Sequence, residues 1–283
     1  MKCNIIGAGR LGKNIAKALS ASQHISSLFI CNRTYESALE ACQTLGFGQA
    51  VKQIEELPAA EITWICSNDD AILSIVDVLA NQACITPGSF IIHSSGVLNS
   101  ALLQPLKTHG CAIASFHPLK AFKTNYLDAN AFNQVDCVLE GDEAVCEWLT
   151  QSFNSLGAYV SAIKAEHKAK YHTAACIASN YLITLASCSE ALFLQAGLEP
   201  HQSRRMLINL MHGNLTNLQL TTAIAEALTG PLVRGDSKTI SMHLDAIDNP
   251  LTQDLYKIAG LATLPLTHLT EGQKEEIKQL LQE

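Results

Sequence analysis

Residues 4–19 read NIIGAGRLGKNIAKAL: an apolar run, three glycines spaced GxGxxG, then a helical pattern. Placed between a strand and a helix, that spacing carries information the glycines alone lack. Gly7 permits a tight turn, Gly9 lets the backbone approach a pyrophosphate, and Gly12 allows close packing of helix on strand. The helix N-terminus adds unpaired donors and a positive dipole. The turn made by Gly7, Ala8, Gly9, Arg10, Leu11 and Gly12 is therefore expected to cradle a dinucleotide, the alternative being a glycine-rich turn without a ligand.

The alternation continues through the first half of the chain. CNII (3–6), LFIC (28–31), ITWIC (62–66), SFIIH (89–93) and CAIASF (111–116) are strand-like, separated by helical patterns over 10–21, 35–43, 69–80 and 98–108. Such alternation argues for βαβ units and a parallel sheet buried on both faces. VDCVLEG (135–141), a helical pattern over 142–156 and AYVSAI (158–163) extend the sheet. Beyond about residue 164 strand signals cease, and helical patterns follow over 164–196, 200–220, 236–247, 250–262 and 272–282. The expectation is an α/β, doubly wound Rossmann-type domain over 1–163 and an all-helical domain over 164–283, abutting without a flexible linker.

Composition narrows the function. The 283 residues are 48% hydrophobic and 16% charged, and the net charge of -7 comes with scattered lysines and no basic block. A nucleic-acid partner is not expected. Ten cysteines form no CxxC pair and fall mostly in apolar runs, which points to free thiols, a reducing cytoplasm and no structural metal. The N-terminus enters a strand and a glycine turn at once, unlike a signal peptide. The longest apolar stretch, YLITLASCSEALFL (181–194), is interrupted by Glu190, so a membrane partner is not expected either.

In an open α/β sheet the ligand lies beyond the carboxyl ends of the strands. In LFICNRTYE (28–36), the place of an acidic residue that would hold a ribose 2′-hydroxyl is taken by Asn32, followed by Arg33 and Thr34. A guanidinium with flanking polar groups and no carboxylate suits a 2′-phosphate, so NADP is favoured over NAD. The other reading of Arg33 is a solvated surface arginine. ITWICSNDDAI (62–72) ends in Ser67, which joins the cofactor-facing set, while Asp69 and Asp70 read better as helix caps. SFIIHSSGVLNS (89–100) places His93, Ser94, Ser95 and Gly96 at the next strand end, and IASFHPLKAF (113–122) places His117 at the one after. Pro118 biases His117 toward an extended conformation that can aim its imidazole outward. Ser95 and His117 are thus expected to border nicotinamide and substrate, against the alternatives of a local turn and a structural histidine.

EHKAKYHTAACIASNY (166–181) opens the first long helix of the second half. At about 100° per residue, Lys168, His172 and Ser179 share a stripe, and Asn180 lies further round near His172. The surroundings are apolar on most sides, which predicts a central helix. An unpaired polar group buried there costs about 1–3 kcal/mol, so these side chains are expected to face a polar cleft or find partners. In TGPLVRGDSKTISMHL (229–244), Asp236 falls where the next helix needs an N-cap, and Arg234 could clamp a carboxylate bidentately.

The ordered set GAGRLG, CNRT, HSSG, FHPL, KAKYHTAACIASNYL and GPLVRGD spans nearly the whole chain. It resembles predicted oxidoreductases that join an N-terminal Rossmann-like domain to a helical C-terminal domain, related to pyrroline-5-carboxylate reductase, 6-phosphogluconate dehydrogenase and ketopantoate reductase. The resemblance implies NADPH-dependent reduction of a small carboxylate, with a ketopantoate reductase-like activity as the specific form, and a homodimer through the helical domain. It also implies an active site built by the helical domain: Lys168 donating a proton to, or electrostatically stabilising, the developing alkoxide, His172 relaying the proton or orienting the lysine, and Asn180 on the substrate oxygen. Arg234 would hold the carboxylate with Asp236 beside it. Ketopantoate reductases carry Lys-x-x-x-Asn on this helix, whereas here the spacing from Lys168 gives His172. Imine reduction, as in pyrroline-5-carboxylate reductase, and a catalytically silent NADP-binding protein are the alternatives.

Overall fold

Short β-rich runs hemmed by turn residues become the strands of one sheet in the computed structural model, which describes residues 1–122 and 127–283. In chain order the first unit contains β1 (Lys2–Ile6), α1 (Arg10–Ala21), β2 (Ser27–Cys31), α2 (Tyr35–Leu45), β3 (Gln49–Val51), β4 (Ile62–Ile65) and α3 (Asp69–Leu79). There follow β5 (Phe90–His93), a 3-10 helix (Ser100–His109), β6 (Ala112–Pro118), β7 (Asp136–Gly141), α4 (Glu143–Ser155) and β8 (Tyr159–Ala162). The sheet order is β3-β2-β1-β4-β5-β6-β7-β8, with every neighbouring pair parallel except β6 and β7. Its first six strands have the order of the doubly wound dinucleotide-binding sheet, and the winding reverses between β1 and β4.

Register brings the strand ends together. Ile6 pairs with Cys31 and Ile65, Ile65 with His93, and His93 with Ser115. The residues after each of these positions therefore emerge along one edge of the sheet. Both faces are covered, as parallel strands require. One buried cluster joins α1, α2 and α4 to the sheet around Trp64, Phe116, Phe132 and Phe153; the other joins α3 and the 3-10 helix to the opposite face around Ile65, Ile72, Ile91 and Leu103. Trp64 meets Phe116 edge-on at 5.8 Å, and its indole N–H, which a buried tryptophan must satisfy, donates to Ser94 Oγ at 2.7 Å.

The sequence expectations need three amendments in this unit. The stretch 98–108 is a 3-10 rather than an α-helix, with Pro105 inside it removing a backbone donor. β3, only three residues long, has too little pattern to be seen in the sequence. β7 runs antiparallel to β6, and its Glu140 is buried with both carboxylate oxygens taken by Ser100, one by the backbone N–H and one by the hydroxyl, each at 2.7 Å.

The chain divides into two compact units, Met1–Ile177 and Ala178–Glu283, with the division inside α5 (Lys168–Gln195). The second unit is helical: the remainder of α5, then α6 (Pro200–Leu220), α7 (Pro231–Arg234), α8 (Ser237–Asp245), α9 (Pro250–Thr263) and α10 (Glu271–Gln282). A small core of Ile240, Leu264, Ile277 and Leu281 holds its C-terminal helices together. Arg204 on α6 grips Glu190 on α5 with Nε and Nη2, at 2.6 and 2.8 Å. α5 is not the buried central helix its composition predicts. Lys168 is its one buried residue, while Tyr181 and Ile183 are 59% and 68% exposed. Ala165–Gln195 is long and apolar enough to cross a membrane by length and composition, with a mean hydropathy of 1.3 over its best window.

Candidate active site

The glycine turn opens into a cleft of about 630 Å³ bordered by Gly7, Gly9, Lys13, Asn32, Arg33 and Ser67. Local physics shapes it. Gly7 has φ +92°, and a Cβ there would stand 2.8 Å from the backbone nitrogen of Ser67, so the turn admits no side chain. A Cβ on Gly12 would stand 2.9 Å from the carbonyl oxygen of Gly7, which is how closely α1 approaches the turn. Gly9, by contrast, meets nothing within 4 Å on its Cβ side and is the N-cap of α1 without a side-chain cap. The first turn of α1 therefore offers uncapped N–H donors to open space, and Lys13 lies beside them.

Asn32 Oδ1 accepts from Ala8 N at 2.7 Å, so this side chain ties the end of β2 to the glycine turn and keeps its amide N–H groups for another partner. Arg33 is exposed at the cleft. Thr34 instead caps α2: its Oγ1 accepts from Ser37 N at 3.3 Å and donates to Ser37 Oγ at 3.0 Å, which commits the hydroxyl to the helix. Ser67 Oγ is buried and without a partner among the described residues. Arg10 points its Nη1 at the carbonyl of Phe122, 3.5 Å away, and Leu11 packs against the core. An orphaned hydroxyl, an uncapped helix start and two cations around an open glycine are what a dinucleotide phosphate would use. The residues fit such a group.

Along the same edge, at the ends of β5 and β6, lies a second constellation. His93 is fully buried; its Nδ1 accepts from Ser95 N at 3.2 Å and its Nε2 donates to Asn99 O at 3.1 Å. Burial pushes its pKa down to about 4, which fixes a neutral ring. Ser95 Oγ accepts from Val97 N and Leu98 N, at 3.3 and 2.9 Å, shaping the loop from within. Lys168, 1% exposed, donates to Ser95 O at 2.7 Å and to Ser115 Oγ at 2.6 Å. Burial brings its ammonium down to about 8, with Glu140 and Asp69 pulling the other way.

One turn along α5, the Tyr171 hydroxyl lies 2.9 Å from His117 Nδ1, and the His117 and His172 rings meet edge-on at 5.7 Å. Gly96 is the floor between the imidazoles: a Cβ there would stand 3.0 Å from His117 Nε2 and 2.8 Å from His172 Nε2. Burial, then the charges of Lys168 and His172, push the His117 pKa down to about 4, so this imidazole is neutral at pH 7. Cys176 Sγ is 3.9 Å from His172 Nδ1. Among the described residues, no three His, Cys, Asp or Glu side chains converge as a metal site.

The first unit thus brings Ser95, His117, Lys168 and His172 together. Asn180, Arg234 and Asp236 belong to the second unit. There Asn180 is exposed, and Asp236 holds the N-cap position of α8 without bonding the helix N–H groups. Its carboxylate accepts from Arg234 Nε and Nη2, both at 2.8 Å, so this ion pair replaces the cap that the sequence suggests. Sequence reasoning placed Gly96 at this strand end but missed Tyr171 and Ser115 in the cluster. Ser115 carried a signal, standing one strand repeat before His117 on the same face; Tyr171 looked like one more apolar position of α5.

Residues 1–118 match the Rossmann-like domain, and residues 135–263 match a domain of unknown function, DUF2520. The chain thus matches a Rossmann-like domain first and, after it, a domain of unknown function whose match runs from β7 into the helical unit. No curated protein matches its sequence. Among solved structures, it superposes on a candidate NADP oxidoreductase of Bacteroides fragilis with a TM-score of 0.77 at 20% identity, covering 93% of this chain and 98% of that one. A Thermotoga maritima protein gives 0.68 at 23% identity, covering 99% and 100%. The pyrroline carboxylate reductase of Plasmodium falciparum with NADP bound gives 0.61 at 13% identity, covering 99% and 98%. At these identities the likeness is one of fold.

Proposed function

We propose that this chain is an NADP-dependent oxidoreductase that reduces the carbonyl of a small 2-oxo acid, in the manner of a ketopantoate reductase. One observation carries the reading: the anion-ready glycine turn after β1 and the imidazole of His117 at the end of β6, with His172 of α5 against it, lie along one edge of the same sheet. Gly7, Gly9 and the start of α1 would hold the pyrophosphate, Ser67 and Asn32 the adjoining sugar, and Arg33 the 2′-phosphate. Bound NADPH would supply the hydride to the carbonyl carbon.

The protein's own part is to stabilise charge on the carbonyl oxygen and return a proton there. A neutral imidazole donates a hydrogen bond to that oxygen without presenting a competing positive charge, and in a dry site such donors contribute most of the stabilisation. His117 takes this role in the proposal, and His172, half-buried beside it, passes the proton in from water. Lys168 acts from beneath, because its ammonium is engaged by Ser95 and Ser115. It ties the segment after β5 to β6, the strand that carries His117, from the helix that carries His172, which departs from direct proton donation by the lysine. Asn180 and Arg234 stay in the proposal as substrate contacts on sequence grounds. The ten free thiols support a reducing cytoplasm, and the exposed apolar surface of α5 and α6 supports a homodimer through the helical unit.

Reduction of a cyclic imine is the second reading. A neutral histidine is a weak acid, and an imine arrives already protonated, so it asks less of His117. Assaying ketopantoate and other 2-oxo acids beside pyrroline carboxylate, with NADPH and NADH, separates the two. The expected result is turnover of an oxo acid with NADPH, and a loss of NADPH affinity of about tenfold in Arg33→Ala with NADH binding unchanged. Turnover of the imine alone would select the second reading, and NADPH binding without hydride transfer to either panel would overturn both.

A further inference from the structure

The structure assigns Tyr171 a positioning role: its hydroxyl donates to His117 Nδ1 and so fixes the tautomer that carries the imidazole proton on Nε2, toward Gly96 and His172. This rests on the proposed reduction for its catalytic meaning, though the tautomer itself does not.

The hydrogen bond is 2.9 Å long, between rings at 82° with centroids 5.8 Å apart. Two proton arrangements are conceivable. If Nδ1–H donated to the phenol oxygen, the phenolic proton would need another acceptor, and among the described residues Tyr171 has no other hydrogen-bond partner. If the phenol donates, its one proton is used, Nδ1 is satisfied and Nε2–H is left for a ligand. Each arrangement makes one hydrogen bond and leaves one donor free; the second leaves it at Nε2, where a ligand oxygen can take it, while the first leaves it on the phenol, which has no second partner among the described residues.

Surrounding charge keeps it so. Burial, with Asp136 of β7 adding negative potential, pushes the Tyr171 phenol up, so it stays protonated. On α5, Lys168 and His172 face His117 and disfavour a second proton on its ring. From β5, Ser95 and Gly96 bring only neutral groups. His117 is therefore a fixed donor at Nε2, matched to a carbonyl or alkoxide oxygen. The Gly96 floor gives that N–H room, since a Cβ there would stand 3.0 Å from it.

The test is nitrogen-15 NMR of the ligand-free protein, with His117 assigned through a His117→Gln spectrum, over pH 3.5 to 8. Wild type should show a neutral Nε2–H ring at pH 7. Tyr171→Phe should show mixed tautomers, a His117 titration moved up toward the ordinary value near 6.5, and an acid limb of the kcat profile shifted the same way. Its kcat should fall on the order of tenfold, with the KM for NADPH unchanged. An Nδ1–H ring in wild type would overturn the assignment even if Tyr171→Phe failed to fold. So would a Tyr171→Phe spectrum and pH profile identical to wild type. Because the spectra need no turnover, absence of reductase activity would sink the proposed function while leaving the tautomer decided.

Discussion

Lys168 places an ammonium where the protein is otherwise closed to water, and its three donors explain why it is tolerated. Two of them meet Ser95 O and Ser115 Oγ, so the charge is held by oxygen atoms of two adjacent strand ends. Burial still wins, since the pKa falls to about 8 from an ordinary value of 10.5. The sign of the pH dependence follows from linkage. Between about pH 8 and 10.5 the unfolded chain binds more protons at this site than the folded one, so folding stability from this group rises with pH across that window. Below pH 8 the fold carries the full cost of the buried charge. Lys168→Met, which keeps the volume and loses the charge, should abolish that alkaline rise while removing two hydrogen bonds, for a net loss of about 1–3 kcal/mol at pH 7. Melting temperatures of both proteins from pH 7 to 10.5 check it; a parallel pair of curves would mean that the ammonium is not the titrating group.

At the scale of elements, the strand–turn–helix at the N-terminus can be dissected by two glycines that do different work. Gly7→Ala forces a Cβ onto the backbone of Ser67 at φ +92°, which should cost about 1–3 kcal/mol of stability and distort the turn together with ligand binding. Gly9→Ala adds its methyl to open space, so its melting temperature should match wild type while NADPH affinity falls, because the methyl occupies the path of a phosphate. Thermal melts and fluorescence titrations on the two variants separate a fold effect from a site effect; equal NADPH affinity in wild type and Gly9→Ala would remove the phosphate from that position. The same element shows what could be read from sequence. GxGxxG between an apolar run and a helical pattern encodes its own geometry locally, so β1, the turn and α1 were legible residue by residue. The contact of His117 with Tyr171 was not, because the two meet only after β6 and the start of α5 are placed side by side, 54 positions apart in sequence. Lys168 was legible as a residue needing partners but not as one that finds them in Ser95 and Ser115, since no periodicity links a helix start to two strand ends.

For the molecule as a whole, the decisive surface is that of α5 and α6. A helix that is apolar all round belongs in a core or in lipid, yet Tyr181, Ile183, Leu185, Met206, Ile208 and Leu210 are between 41% and 69% exposed. The sequence reading makes an apolar α5 central to its own chain, whereas the same composition would also be satisfied by burial against another chain. Lipid is the poorer cover. α5 also presents Ser179 and Asn180, whose polar groups a hydrocarbon layer could not satisfy, and its Glu190 is held in an exposed bidentate pair with Arg204. A second copy brings both apolar side chains and hydrogen-bonding partners. The expected mass in solution is therefore twice 30.5 kDa. Ile183→Asp and Leu210→Asp, each placing a charge in the covered face, should shift the protein to monomer by light scattering, with loss of turnover if the active form is the dimer. A wild-type monomer that melts cooperatively and turns over substrate would refute the dimer, and partition of the wild type into phosphatidylcholine vesicles would show that the face meets lipid instead.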